Sequence, residues 1–269
     1  MLTPRCALMA ATLLAIAPTA AFAARPSGWS AVQDSRTVGS QIVQTAKVTY
    51  GHHRLRVDHP GQRLILDLSS GALTIVNLRD RTFSEISMEG LVELRESQEK
   101  EVRKGLTKMP PEIRAQMEAQ LEDAARAARR SLDAKDTGET RKQGGLTCSV
   151  FAWTTDQASG TACIAQKGLP FDPSVFRKDS LQLARKMERM GAGNAATSMA
   201  VLQLGEHGFP LVIDQTMTIG AQQLSVASTF TKLERSAAPK AYFEAPSGFT
   251  RRSFETMMRE AVSAAPAPQ

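Results

Sequence analysis

The chain has 269 residues, with 33 basic and 27 acidic side chains and only 5% aromatic residues. Its basic residues are interleaved with acids and few rings lie beside them, which argues against a nucleic-acid groove, where stacking platforms line a basic track. The mild positive balance suits a domain that meets anionic lipid head groups in passing.

The first 23 residues read as an export leader. Arg5 supplies the positive start and Ala7 to Pro18 is an uncharged, mostly apolar run. Ala21-Phe22-Ala23 is the small-x-small pattern that signal peptidase cuts after. The run is too short to cross a bilayer and no later apolar segment of about 18 residues follows, so no transmembrane span is expected. Cleavage after about Ala23 places residues 24–269 in the periplasm. The leader's one charge is Arg5, so the remaining 246 residues hold 32 basic and 27 acidic groups, net +5. The leader also removes Cys6. Two cysteines in an oxidising compartment, Cys148 and Cys163, read as one disulfide.

From Trp29 to Ser87 the dominant period is two. Ile42, Ala46, Val48 and Tyr50 share one face, Leu55 and Val57 alternate with Arg54, Arg56 and Asp58, and Leu64, Leu66 and Leu68 alternate with Arg63, Ile65 and Asp67. Short strands also fit Ala72–Leu78 and Thr82–Ser87. Turn residues separate them at Gly51-His52, Asp58-His59-Pro60-Gly61, Ser69-Ser70-Gly71 and Asp80. The expectation is an antiparallel meander with one apolar and one polar face, covered on one side only.

The period becomes helical at Glu89. Glu93 to Lys104 is densely charged, with Glu96–Lys100 and Glu99–Arg103 at i,i+4. Pro110-Pro111-Glu112 suits a helix first turn, and Ile113, Met117, Leu121, Ala124, Ala128 and Leu132 form one stripe, with Arg126, Arg129 and Arg130 toward its end. This insert, residues 89–133, reads as an arm or lid resting on a sheet. Asp136 to Gly145 reads as a polar loop. Period two returns at Leu146–Thr155 and Thr161–Gln166, a hairpin in which Cys148 and Cys163 face one another if pairing is symmetric. Phe171-Asp172-Pro173-Ser174 opens a helix carrying Phe176, Leu183, Met187 and Met190 inward, which breaks at Gly191-Ala192-Gly193. Strands return at Pro210–Ile219 and Gln222–Glu234. A last helix fits Arg251–Ser263, and the tail from about residue 264 reads as disordered.

Candidate chemistry is sparse. His52, His53, Asp58 and His59 are the densest set of metal-ligand types, but adjacent histidines on a strand point to opposite faces, and zinc needs ligands converging on one point. No metal and no cofactor are expected. His207 reads as a turn residue. Gly191 to Ala196 has dinucleotide-fingerprint spacing, but it follows a helix where that fingerprint requires a strand. No nucleophile–base motif is present, so an enzyme is not expected. The many methionines fit either an ordinary helix-to-sheet core or a pliable pocket for a lipid-like ligand.

Several stretches taken together resemble the lipoprotein-carrier fold of the LolA/LolB type, in an uncharacterised secreted branch. They are Tyr50-Gly51-His52-His53-Arg54-Leu55-Arg56-Val57-Asp58, Leu64-Ile65-Leu66-Asp67-Leu68, Met109-Pro110-Pro111-Glu112-Ile113-Arg114 and Ala245-Pro246-Ser247-Gly248-Phe249. The resemblance implies an α+β fold in which a strongly curved antiparallel sheet forms an unclosed half-barrel, covered on its concave face by helices, as a single domain over residues 24–269. It also implies a periplasmic, non-catalytic binding protein that holds a lipid or other hydrophobic ligand. Val57, Leu64, Leu66, Leu68, Val226 and Phe230 are the expected apolar wall. The alternative is an envelope protein-interaction or structural module without a ligand, whose contact surface is the charged Glu93–Lys104 segment with the Arg126–Arg130 cluster.

Overall fold

The computed structural model describes residues 28–127, 132–155, 158–189, 203–219 and 222–257. The export leader, the Gly191–Ala196 stretch, Met190, Arg129 and Arg130, and the tail lie outside the described residues. The strands are β1 (Gly28–Thr37), β2 (Val43–Gly51), β3 (Arg54–His59), β4 (Gln62–Asp67), β5 (Leu73–Asn77), β6 (Thr82–Ile86), β7 (Asp133–Gln143), β8 (Leu146–Thr154), β9 (Ala158–Ala165), β10 (Phe209–Ile219), β11 (Gln222–Ser236) and β12 (Thr250–Arg251). The helices are α1 (Met88–Leu106), α2 (Pro111–Ala127) and α3 (Ser174–Arg189). All twelve strands join one sheet in the order β12-β6-β5-β4-β3-β2-β1-β11-β10-β9-β8-β7, antiparallel except for the β12–β6 contact. The two ends of that order do not pair with each other, so the curved sheet stays open as a half-barrel.

The period-two meander becomes β1 to β6, and its register sets the faces. Val48, Val57, Leu64 and Ile75 form one cross-strand row, and Tyr50, Leu55, Leu66 and Leu73 form the next, on the concave face. Ile42 does not join them; it precedes β2 and is 72% exposed. α3 packs over this face. Phe176 on α3 and Phe171 just before it meet Trp29 of β1 at ring-centroid distances of 5.2 and 5.5 Å, and Phe209 closes on Trp29 at 4.9 Å. Phe176, Leu183 and Met187 belong to this core, as their spacing predicts.

The expectation of a sheet covered on one side only is corrected. On the opposite face of β3 to β5, Arg56, Ile65 and Val76 are also buried, because the chain returns across it after β11. A 3-10 turn, Lys240–Phe243, forms a strap there. Arg54 Nη1 donates to Phe243 O (3.0 Å), Arg56 Nη1 donates to Tyr242 O (2.6 Å), and the Arg56 guanidinium lies 3.6 Å over the Tyr242 ring. An isolated strand pattern reads Arg56 as solvent-facing; it is buried with its charge paired to Asp58 through two hydrogen bonds and covered by the Tyr242 carbonyl and ring of the strap.

The carboxylates beneath the strap make folding sensitive to acid. Burial alone would raise Asp67, but the Ser69 hydroxyl, the Ser70 and Ser69 amides and the Arg54 guanidinium outweigh it and hold its pKa at about 2. At Asp58 burial likewise pushes the pKa up, and the Arg56 and Arg63 guanidiniums outweigh it and hold the carboxyl below its ordinary value. A folded pKa below the unfolded value of ~3.9 gives stability that is present above that pH and lost as pH falls toward ~2. Urea midpoints are therefore expected to fall from about pH 4 to 2, and Asp67→Asn to remove part of that slope while lowering the neutral-pH midpoint.

Two further expectations change. Asp136 to Gly145 is not a loop: most of it is β7, the edge strand, paired to β8 from Asp133↔Thr154 to Gln143↔Leu146, with a turn at Gly144-Gly145. The hairpin of β8 and β9 is not symmetric about the cysteines. Val150 pairs with Cys163 and Ser149 with Ile164, so Cys148 sits two residues off register, yet the Cys148–Cys163 disulfide forms across the diagonal.

The insert is an arm, not a lid. Ser87 Oγ caps α1 by accepting from Gly90 N (3.0 Å), Glu89 sits in its first turn, and Arg103 and Lys104 sit in its last. Among the described side chains of α1, those at its beginning are docked, through buried Met88 and half-buried Leu91 in the core and a Glu89–Lys186 ion pair to α3. From Glu96 to Gly105 the described side chains are exposed.

Candidate functional site

Register puts all six expected wall residues on the concave face. Val57, Leu64, Leu66 and Leu68 come from β3, β4 and the residue after it, while Val226 and Phe230 come from β11 on the far side of β2 and β1. Leu68 is closed into the core at 1% exposure, whereas the other five are half-buried. The row therefore keeps apolar surface available alongside the part that α3 covers. Between its two halves the face is more polar: Ser35 and Ser228 hydroxyls bond each other at 2.8 Å, beside Gln33.

Among the described residues the surface opens into clefts at three places that none of these six side chains lines. One of about 340 Å³ lies between the start of β7, α3 and the turn Gly205–His207. His207 stacks on Phe151 at 4.5 Å, an outcome that fits its reading as a turn residue. A second, of about 460 Å³, lies beside the strap and is floored by Ile65 and Phe243. The third, of about 450 Å³, is lined by His53, Ser69, Ser174, Val175, Lys178, Asp179 and Gln182.

This third cleft is built around a buried carboxylate, Asp179. β2 and β3 are joined by a two-residue turn in which both His52 and His53 have left-handed φ, 52° and 59°. Such turns favour Asn and Gly, so each histidine needs an anchor. His52 Nε2 donates to Ala238 O (3.1 Å), while His53 Nδ1 donates to Asp179 Oδ2 (2.8 Å) on α3. The two rings thus go to separate partners, and they do not converge on one point. Among the described residues no group of three or more metal-ligand side chains forms.

Asp179 is buried and its Oδ2 also accepts from Tyr50 Oη (2.7 Å). Burial first, and the adjoining carboxylate second, push the Tyr50 phenol well above its ordinary range, so the hydroxyl stays a donor. A carboxylate only accepts, which fixes the proton on His53 Nδ1 and leaves Nε2 for the cleft. Sequence inspection misses this triad because Tyr50 and Asp179 are 129 residues apart and Asp179 sits on an ordinary amphipathic helix. Asp179→Ala is expected to cost about 1–3 kcal/mol, the penalty of orphaning the buried Tyr50 hydroxyl. Urea unfolding at neutral pH checks this, and adding Tyr50→Phe is expected to recover part of the loss.

No family model matches the sequence, and none of the curated proteins matches it. Solved structures do. A structure of PNGF-II in one crystal form aligns over 86% of this chain and 32% of that chain, at 8% identity and a TM-score of 0.41. A second crystal form of PNGF-II gives 87% and 32%, 7% identity and 0.40. A DUF1329 family protein from Desulfovibrio piger aligns over 81% of this chain and 90% of that chain, at 8% identity and 0.29. The chain spans about a third of the length of the PNGF-II chains it matches.

Proposed function

We propose that the chain is a periplasmic, non-catalytic binding protein that accommodates a lipid or another hydrophobic ligand against the concave face of its half-barrel. The observation that carries this reading is the apolar row left half-buried there: Leu55, Val57, Leu64, Leu66 and Ile75 on three adjacent strands, with Val226 and Phe230 opposite. Apolar surface withdrawn from water is worth about 25 cal/mol per Å², and a concave apolar wall with few polar groups is the usual form of a small-molecule site. The leader and the two-cysteine pattern support the compartment.

The test is native mass spectrometry after gentle purification, followed by titration with a fluorescent fatty acid. A co-purified small mass or saturable binding is expected. Val57→Glu with Leu64→Glu is expected to weaken binding at least about tenfold while the far-ultraviolet circular dichroism is unchanged. A ligand-free protein that also binds no fatty acid overturns the reading.

A further inference from the structure

The α1–α2 hairpin separates charge along its length. Its tip, residues 100–114, is the turn with the adjoining ends of both helices and carries five basic side chains, Lys100, Arg103, Lys104, Lys108 and Arg114, against two acids, net +3. The shaft has the opposite sign: residues 88–99 carry four acids and one base, net −3, and residues 115–127 carry three acids and one base, net −2. α1 has 19 residues, about 28 Å at helical rise, and among its described side chains those of its first turns are docked. The positive tip therefore stands off the body of the half-barrel.

The same tip exposes apolar side chains. Val102, Met109 and Ile113 are 43%, 37% and 49% exposed, while Leu106 between them is buried. Around them, Arg103 and Lys104 are held by Glu99 and Glu101 at 2.8 and 2.6 Å. Lys100 and Lys108 have no carboxylate partner among the described residues. An apolar tip ringed by ammonium groups has the composition of a segment that enters the head-group layer of an anionic bilayer, where apolar burial and attraction to lipid phosphates act together.

We infer that this tip docks on an anionic lipid surface, with Val102, Met109 and Ile113 entering the head-group layer and Lys100 and Lys108 meeting lipid phosphates. Charge complementarity selects this occupant and also the pose. The acidic shaft is repelled by the surface that attracts the tip, so the arm stands end-on and holds the half-barrel off the membrane. The inference is independent of whether the concave face takes a ligand.

The experiment is co-sedimentation of the mature chain with vesicles of equimolar phosphatidylglycerol and phosphatidylcholine, and with phosphatidylcholine vesicles alone. Binding to the anionic vesicles only, reduced by added salt, is expected. Lys100→Glu with Lys108→Glu is expected to weaken it about tenfold or more, and Met109→Ser with Ile113→Ser to weaken it at unchanged charge. These positions are exposed, and unchanged circular dichroism and urea midpoint confirm that each variant is folded. Equal binding to both vesicle types, binding to neither, or binding that both variants leave intact overturns the inference. If the vesicles are not bound and Met109→Ser with Ile113→Ser instead abolishes a concentration-dependent dimer or a cross-linked protein partner, the surface belongs to that partner and the inference also fails.

Discussion

Trp29→Ala is expected to destabilise the fold by about 3–5 kcal/mol, the range for truncating a buried tryptophan. Trp29 is 2% exposed on β1, near the middle of the strand order, and sits at the centre of the ring cluster that joins the sheet to α3. It stacks on Phe171, meets Phe176 and Phe209 edge-on, and lies 6.1 Å from Tyr50. Its indole Nε1 has no hydrogen-bond partner, so the loss is one of packing and cavity formation, with no orphaned polar group added. Urea unfolding should show a lower midpoint at an unchanged slope. Val43→Ala, on a side chain 53% exposed, should stay within about 0.5 kcal/mol of the parent. A Trp29→Ala loss below about 1 kcal/mol would show that the aromatic cluster is not what joins the sheet to α3.

What the sequence made legible follows from which residues carry a period. β2 to β6 were readable because Val48, Val57, Leu64 and Ile75 are apolar on one face while their neighbours are not. β7 was not, because both of its faces are exposed at the sheet edge and Asp133–Gln143 consequently alternates nothing. Its charges and its register shift between Asp136 and Thr140 are what keep such an edge from pairing with other chains. The burial of Arg56 was hidden for a different reason: Asp58, two residues on, is a partner that an exposed arginine can also have, whereas the Tyr242 carbonyl and ring that cover it lie on a strap 186 residues away. Alternation puts Leu64, Leu66 and Leu68 on one side of the chain, and Leu68 shows the limit of that signal. Alternation gives the face, whereas whether a residue is open or sealed depends on where Met88 and Leu183 come to rest, and those lie on separate helices. Asp179 combines both difficulties, being a polar residue whose meaning exists only once α3 lies on Tyr50 and His53.

The second large effect is expected from the disulfide. Cys148–Cys163 closes 15 residues of chain, for which restricting the unfolded state contributes about 3 kcal/mol. For a chain of this size that corresponds to a fall in melting temperature of roughly 6–12 °C when the bond is absent. The bond matters at this place because β8 and β9 stand near the open end of the sheet, with only the exposed β7 beyond them, so no barrel closure holds them in register. Two arms separate link from packing. Reduction of the parent under mild thiol should remove the link alone, whereas Cys148→Ala with Cys163→Ala also removes two side chains that are 2% and 4% exposed and should cost somewhat more. If the proposed export is correct, the chain expressed without its leader in a reducing cytoplasm should melt like the thiol-treated parent and regain the higher midpoint on oxidation. A parent whose midpoint does not move on reduction would mean that the off-register pairing of this hairpin is already fixed by its own ladder and side chains, and that the covalent link contributes little to the fold.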